Sequence, residues 1–486
     1  MHPLVATLVF VVGIIGLFSF NRESGTRTSL ALWVPVIWLF INASRSVSQW
    51  LGVVGLGNGG MNQAQSYLDG SPLDRNVFLL LLIGGFFVLA SRSKLAGPLF
   101  HTIHPVLFFY LYCAISIFWS EYPFVSFKHW LKGIGDVVMV LIVLTDPDPP
   151  AALRRLLSRV GFILLPISVL YIKYFPNLGR IYTVGGASEF TGVTTQKNSL
   201  GLICLVFGLG SLWRFLAVYR DPSVTRRSYK LVAHGTIIAM ALWLLHTCDS
   251  MTSLSCLLMG GVFLLLAYRP ARFRKPLVIH LLVAGMVGFC LFALFFQSSG
   301  SLLQNMGRNA TLTGRTAIWD AVLRVAGNPL IGTGYESFWV GDRLKMIWAM
   351  DDAAFLGLNE AHNGYLELYL NLGWIGVALM ALVVVTGYWK VLARFRLDPH
   401  AGSLGLAFFV AELAYNFTEA GFRMMCPIWI FFLLALVGIP RSPAAENVIA
   451  PSSDFIPAFD GRGSQNRPRL QTTRRVKSDI FVRRYE

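Results

Sequence analysis

The chain has 486 residues, of which 55% are hydrophobic and only 14% charged, and its mean hydropathy is +0.59. A soluble domain usually carries about 25% charged residues, so this chain cannot cover a water-soluble particle of its size, and the missing solvent is lipid. Nucleic-acid binding is the other reading of the net charge of +16; with this many apolar blocks, the basic residues are better read as topology signals.

Apolar blocks occupy residues 3–20, 29–43, 76–90, 99–119, 130–145, 156–172, 199–218, 231–248, 250–268, 277–297, 365–389, 402–418 and 422–439. They are continuous runs, whereas a membrane barrel alternates with period two. The expected fold is an all-α polytopic membrane protein with about 11–13 transmembrane helices, some of them short enough to tilt or re-enter, and one long, partly helical extracytoplasmic loop. The first block has no basic residues ahead of it, and Phe18-Ser19-Phe20 is a poor cleavage site, so it reads as a retained helix. The six cysteines show no CxxC spacing and suggest no disulfide framework.

Basic clusters fall on alternate connections, at Arg154/Arg155/Arg159, Arg220/Arg226/Arg227/Lys230, Arg269/Arg272/Arg274/Lys275 and Lys390/Arg394/Arg396. The positive-inside rule makes these cytoplasmic. The opposite connections, roughly 44–75, 120–129, 173–198 and 298–362, are then extracytoplasmic. The expected organisation is N-terminal membrane helices over 1–297, a long loop over 298–364, C-terminal membrane helices over 365–440, and a disordered basic cytoplasmic tail over 441–486. The long loop carries Trp319, Phe338, Trp339 and Trp348, residues that disordered segments avoid, so it is expected to fold.

Within that loop, Ile318, Val322 and Val325 recur at helical spacing, which predicts a short helix over Thr316–Ala326, ended by Gly327-Asn328-Pro329. Arg315 stands at its start and Arg308 just before. A helix N-terminus favours anions, and two guanidinium groups can grip a diphosphate; solvated loop arginines remain the alternative. Gly332-Thr333-Gly334-Tyr335 reads as a turn or, more weakly, as a phosphate cradle. Glu336, Asp342, Asp351, Asp352 and Glu360 read by default as solvated loop acids that match no metal motif, with a carboxylate that orients His362 as the alternative. His362 sits at the mouth of the next helix, where imidazole can exchange a proton near neutral pH. Gly373 and Gly376 fall on the same helical face and would let a neighbouring helix pack closely.

The stretch His362-Asn363-Gly364-Tyr365 through Gly373-Trp374-Ile375-Gly376 resembles the signature of the O-antigen ligase and polymerase superfamily, which includes exopolysaccharide polymerases. Leu312-Thr313-Gly314-Arg315-Thr316-Ala317-Ile318-Trp319, Pro329-Leu330-Ile331-Gly332-Thr333-Gly334-Tyr335 and the Gln196-Lys197-Asn198 element are similar to the same family, and Phe118-Trp119-Ser120-Glu121-Tyr122-Pro123 echoes it. The resemblance implies glycosyl transfer at the outer face of a bacterial inner membrane. The donor would be a saccharide on a polyprenyl diphosphate such as undecaprenyl diphosphate. The acceptor would be a sugar hydroxyl on another repeat unit (polymerase) or on lipid A-core (ligase). The Lys-Asn element tilts the reading toward an exopolysaccharide polymerase. No nucleotide sugar, cofactor or metal is implied. His362, Arg315 and Arg308 would be catalytic. Lys197, Arg180, Asn363, Tyr335 and Glu336 would bind substrate, with membrane lipids and other polysaccharide-assembly proteins as further partners.

A second class remains open. Asp136, His234, His280 and Glu412 fall within apolar blocks and Glu419 at the junction of two, so all five read as ionisable residues within spans, which often mark a transport path. A lipid or polysaccharide flippase is therefore the competing reading.

Overall fold

The computed structural model describes residues 2–23, 28–53, 71–182, 188–297, 313–350 and 357–438. Arg308, Asp351, Asp352 and the tail from 441 lie outside the described residues. The α-helices are α1 Pro3–Phe20, α2 Trp33–Asn42, α3 Val47–Val53, α4 Pro72–Ser91, α5 Ser93–Thr102, α6 His104–Ile115, α7 Pro123–Leu144 and α8 Pro149–Tyr174. After a single helical turn, Pro176–Gly179, and an antiparallel hairpin, β1 Arg180–Tyr182 with β2 Ser188–Phe190, come α9 Lys197–Arg220, α10 Arg227–Thr247, α11 Met251–Leu266 and α12 Pro276–Gln297. The chain continues through α13 Thr313–Arg324, α14 Gly341–Trp348, α15 Gly364–Leu397, α16 Pro399–Tyr415 and α17 Pro427–Val437.

Local chemistry sets many of these boundaries. Proline opens α1, α4, α7, α8, α16 and α17, where its missing N–H costs nothing. Asp148 caps α8 through the Ala151 amide at 3.1 Å, and Asp398 caps α16 through His400 and Ala401 at 3.1 and 3.0 Å. Gly438, with φ of 70°, follows the last residue of α17, a conformation that suits glycine at a helix C-terminus.

Among the described residues, six helices, α1, α4, α8, α9, α10 and α15, are long and apolar enough to cross a membrane. The expected count of spans is not reached by full-length helices because several blocks are shorter or broken. The block at 99–119 bends by 86° between α5 and α6 with its 3-10 extension, and α11 and α17 have only 16 and 11 residues. The fold is an all-α polytopic membrane protein. The outward face of α1 is apolar, with Leu4 72% and Leu8 64% exposed, which fits contact with lipid tails.

Lipid tails are as apolar as leucine, so these helices associate by close packing rather than by a hydrophobic drive. Gly161 on α8 receives the Phe207 ring of α9, and Gly208 on α9 faces Leu257 and Ala241. Between α16 and α17, Phe408 stacks on Phe431 and Phe409 on Phe432, with centroids 4.7 and 5.3 Å apart. A smaller core joins Ile318, Val322, Phe338, Ile347, Ala361 and Leu370, with Trp319, Trp339 and Trp348 packed against it. The described part of the long loop is therefore folded, as its aromatic content led us to expect.

Connections assigned to one side by charge meet one another. Arg45 donates to the carbonyls of Gly192 and Thr194 at 3.3 and 3.4 Å. Trp119 donates to the Ile331 carbonyl at 3.2 Å, and Tyr122 accepts from the Asp342 amide at 3.2 Å. This end of the bundle carries the polar site.

Candidate active site

Three segments deliver polar groups to one buried carboxylate carried by a fourth. Asn416 follows α16, and its Oδ1 accepts the amides of Gly421 and Phe422, both at 2.9 Å. This tight turn holds Glu419 and Arg423 between α16 and α17. Glu419, its side chain 5% exposed, accepts Arg315 Nη2 at 2.9 Å, His362 Nδ1 at 3.1 Å and Asn198 Nδ2 at 3.1 Å. Arg315 comes from the first turn of α13, whose apolar face sits on the smaller core. Trp319, one turn further along, donates to the Ala361 carbonyl at 2.9 Å and fixes the helix to the segment that carries His362.

His362 has a φ of 50°, uncommon for a residue with a side chain. Its neighbours hold it there. The Ala361 amide donates to Glu367 Oε1 at 2.5 Å, and the Gly364 amide to the carbonyls of Asn416 and Glu419 at 2.9 Å. A Cβ at Gly364 would run into the Asn416 side chain. Since Nδ1 donates to Glu419, with Glu360 Oε1 at 3.2 Å, the basic lone pair of the neutral ring is on Nε2. Burial by itself would lower the His362 pKa. The hydrogen bond donated to Glu419 and the charge of Glu360 outweigh it, against a smaller opposing effect of Arg315, so the pKa lies above its ordinary 6.5.

A second carboxylate layer lies beside the first. Glu360 Oε2 accepts Arg423 Nη1 at 3.0 Å. Burial works against the Arg423 charge, but Glu336, Glu360 and Glu367 prevail and hold the guanidinium protonated. Burial raises the Glu336 pKa, partly offset by Arg423. A cavity of about 200 Å³ lies here, lined by Glu336, Trp339, Glu367, Arg423, His129 and Asn359 among others. Glu360, His362 and Glu419 offer three donor atoms within 4.8 Å of one another, a set that can hold a metal ion. Arg423 and Arg315 already balance the two carboxylates.

The site departs from sequence reasoning in several places. Glu360 is buried and paired with Arg423, and Glu336 is half-buried within reach of the same charge, because the loop folds over them; Asp342 is exposed and pairs with Lys345 at 2.9 Å. Glu419 lies beyond the end of α16 rather than inside a span. Asp136 accepts Trp38 Nε1 at 2.8 Å and the Met425 amide at 2.7 Å, while His234 meets Asn21 at 3.1 Å, His280 meets Tyr388 at 2.6 Å and Glu412 meets Asn416 at 3.0 Å. All four thus have local structural partners. Gly373 does not present a face to a neighbouring helix. It breaks α15 with φ 63° and ψ −167°, and the turn at 329–334 fills the gap. Trp374 and Ile375 amides donate to Pro329 and Leu330 carbonyls at 2.9 and 3.1 Å, and Thr333 and Gly334 amides donate to Leu370 and Asn371 carbonyls at 3.1 and 2.8 Å. The Gly-x-Gly element is this turn.

The other anticipated binding residues are spread around the centre. Lys197 opens α9 next to Asn198 and pairs with Glu189 at 2.8 Å. Arg180 donates to the Ile172 carbonyl at 3.0 Å and lies over the Phe190 ring, so no contact joins it to Glu419. Asn363 caps α15 through the Tyr365 and Leu366 amides at 3.1 Å. Tyr335 is buried, and its amide donates to Ser116 Oγ at 3.0 Å. Glu419, Arg423 and Glu367 were missed as site residues. The available signal was the polar run Asn416-Phe417-Thr418-Glu419-Ala420-Gly421-Phe422-Arg423 interrupting two apolar blocks.

These features define a polytopic helical membrane protein with a carboxylate-centred polar site at one end of its bundle. The family model described as O-Antigen ligase matches residues 235–381, which include Arg315, His362 and the break at Gly373. The chain is 26% identical over 371 residues to the exopolysaccharide production protein ExoQ of Rhizobium meliloti, covering 73% of this chain and 81% of that protein. It is 22% identical over 463 residues to the "Putative polysaccharide ligase" of Rickettsia felis, covering 90% and 98%. The family match and these relatives support the O-antigen ligase-like superfamily and a function of the O-antigen ligase/polymerase type.

Proposed function

We propose that the protein transfers a saccharide from a polyprenyl diphosphate to a sugar hydroxyl at the extracytoplasmic face of a bacterial inner membrane, extending exopolysaccharide or O-antigen repeat units. The observation that carries this reading is the convergence of His362, Arg315 and Asn198 on Glu419. Glu419 orients the imidazole so that Nε2 takes the proton from the acceptor hydroxyl as its oxygen bonds to the anomeric carbon. The bond from that carbon to the diphosphate breaks, and the anomeric configuration inverts. Charge gathers on the leaving diphosphate, where Arg315, its side chain still 19% exposed, stabilises it in a water-poor site. Lys197, next to Asn198 at the start of α9, adds a further cation toward the diphosphate. The cavity beside Trp339, Glu336 and Glu367 suits an acceptor sugar ring, with an aromatic face and acceptors for its hydroxyls.

No cofactor or metal enters this scheme. The Lys197-Asn198 element tilts the reading toward a polymerase, the relatives named putative polysaccharide ligases keep the ligase reading beside it, and the hydrogen-bonded partners of the ionisable residues in the spans disfavour a flippase. Purified protein is mixed with a polyprenyl-diphosphate oligosaccharide alone. A ladder of longer glycans supports the polymerase, transfer only after lipid A-core is added supports the ligase, and substrate that crosses vesicles chemically unchanged overturns both.

A further inference from the structure

A cavity of about 500 Å³ lies at the other end of the bundle, between α1, α2 and the N-terminal half of α8. α8 has 26 residues, so at a rise of about 1.5 Å per residue its two ends are roughly 40 Å apart. The site described above adjoins the hairpin that follows the C-terminus of α8. The cavity lies near its N-terminus.

Five charged side chains line this cavity, and four are arginines: Arg22, Arg154, Arg155 and Arg159, with Glu23 the single acid. Glu23 is shared between Arg154 at 3.1 Å and Arg214 at 2.8 Å, so it is spent on two cations. Arg155 donates to Thr28 Oγ1. Arg159 lies with its guanidinium 4.3 Å from the centroid of the Trp33 ring, and its Nη1 is buried with no hydrogen-bond partner. A buried N–H of a charged group is costly to leave unmet. The nearby acid, Asp146, already accepts the amide and hydroxyl of Ser29 at 3.1 and 2.6 Å. The opposite wall is apolar, formed by Phe18, Val36, Phe40 and Ile163, and the rim residues Trp33 and Ile37 are 48% and 43% exposed. The cavity therefore opens along a surface that faces lipid.

We infer that this cavity binds the headgroup phosphate of an anionic membrane phospholipid. The arginines, Arg159 Nη1 foremost, meet the phosphate oxygens, while the apolar wall and rim receive the acyl chains. Basic pockets between membrane helices are suited to such headgroups. A zwitterionic lipid would bring its own ammonium against the arginines, and a free phosphate would leave the apolar wall unused.

The test uses the full chain in detergent, read by native mass spectrometry and by thermal unfolding, with phosphatidylglycerol, phosphatidylethanolamine or inorganic phosphate added. Phosphatidylglycerol is expected to stay bound and raise the unfolding midpoint, the other two to do neither. Arg155→Gln with Arg159→Gln is expected to weaken retention about tenfold or more. Arg22→Gln changes an exposed residue, and its lipid-free midpoint is expected to stay at the wild-type value while retention falls. Equal retention of the two lipids, equal stabilisation by inorganic phosphate, or undiminished phosphatidylglycerol binding in both variants overturns the inference.

Discussion

Glu419 Oε2 and His362 Nδ1 stand 3.1 Å apart although 57 residues separate them in sequence. The tight turn after α16 and the capped entry to α15 bring them together, and Arg315 holds the other carboxylate oxygen at 2.9 Å. The imidazole is thus oriented by an acid that is itself fixed by a cation.

The carboxylates set a pH dependence. The His362 pKa lies above 6.5 because Glu419 and Glu360 favour the charged ring. A general base must be neutral, so transfer rises as pH increases through that pKa. Glu419→Gln removes the strongest of these favourable contacts and lowers the pKa. The acid limb of the pH–rate profile is expected to move to lower pH, with a reduced plateau.

Arg315 acts on the same ring in the opposite sense, lowering its pKa. Arg315→Ala is expected to move the acid limb to higher pH and to slow transfer about 10²-fold or more, since a preorganised charge on the leaving group is lost. Arg315→Lys keeps the charge but not the fork, and partial recovery is expected. The same pH–rate measurement on each variant checks both.

Asn198 steers Glu419 without adding charge. Asn198→Ala should cost about 1 kcal/mol of positioning, read as a modest fall in rate. Asn198→Asp sets a second carboxylate against Glu419 and should be clearly worse. Equal rates in the two variants would remove Asn198 from the positioning of Glu419.

Gly373 occupies backbone space open only to glycine, and a Cβ there would strike the Leu330 backbone. Gly373→Ala is expected to lower stability by about 1–3 kcal/mol from strain alone, and by more through the collision. Thermal unfolding in detergent measures this.

Topology can be tested on cells. Lys345 is exposed at the site end, and Thr225 is exposed beyond the far end of α9. Five of the six native cysteines are buried, so background labelling is low. An impermeant thiol reagent applied to intact spheroplasts is expected to label Lys345→Cys and not Thr225→Cys.

Much of the fold was legible in sequence, because long apolar runs report helices, while the sides assigned by charge asymmetry await the labelling experiment above. The Arg315 helix was visible in the helical spacing of Ile318, Val322 and Val325, and His362 as a polar group at the mouth of the next apolar block. Glu419 was not, since two blocks separated by only three residues read as adjoining spans, and the turn that ejects its carboxylate depends on the Asn416 side chain. Helical periodicity also carries Gly373 through as an ordinary helical position, because a positive φ leaves no trace in hydropathy. Arg180 looked free in sequence but is held locally by Ile172 and Phe190.

The most direct measurement is donor turnover by purified His362→Ala beside the wild type, with thermal unfolding to confirm the fold. Wild-type protein is expected to release polyprenyl diphosphate as glycan is transferred. The variant should unfold at a similar temperature and turn over about 10²–10⁴-fold more slowly, the range a positioned general base supplies. Turnover at the wild-type rate would contradict the assignment of His362 as the base.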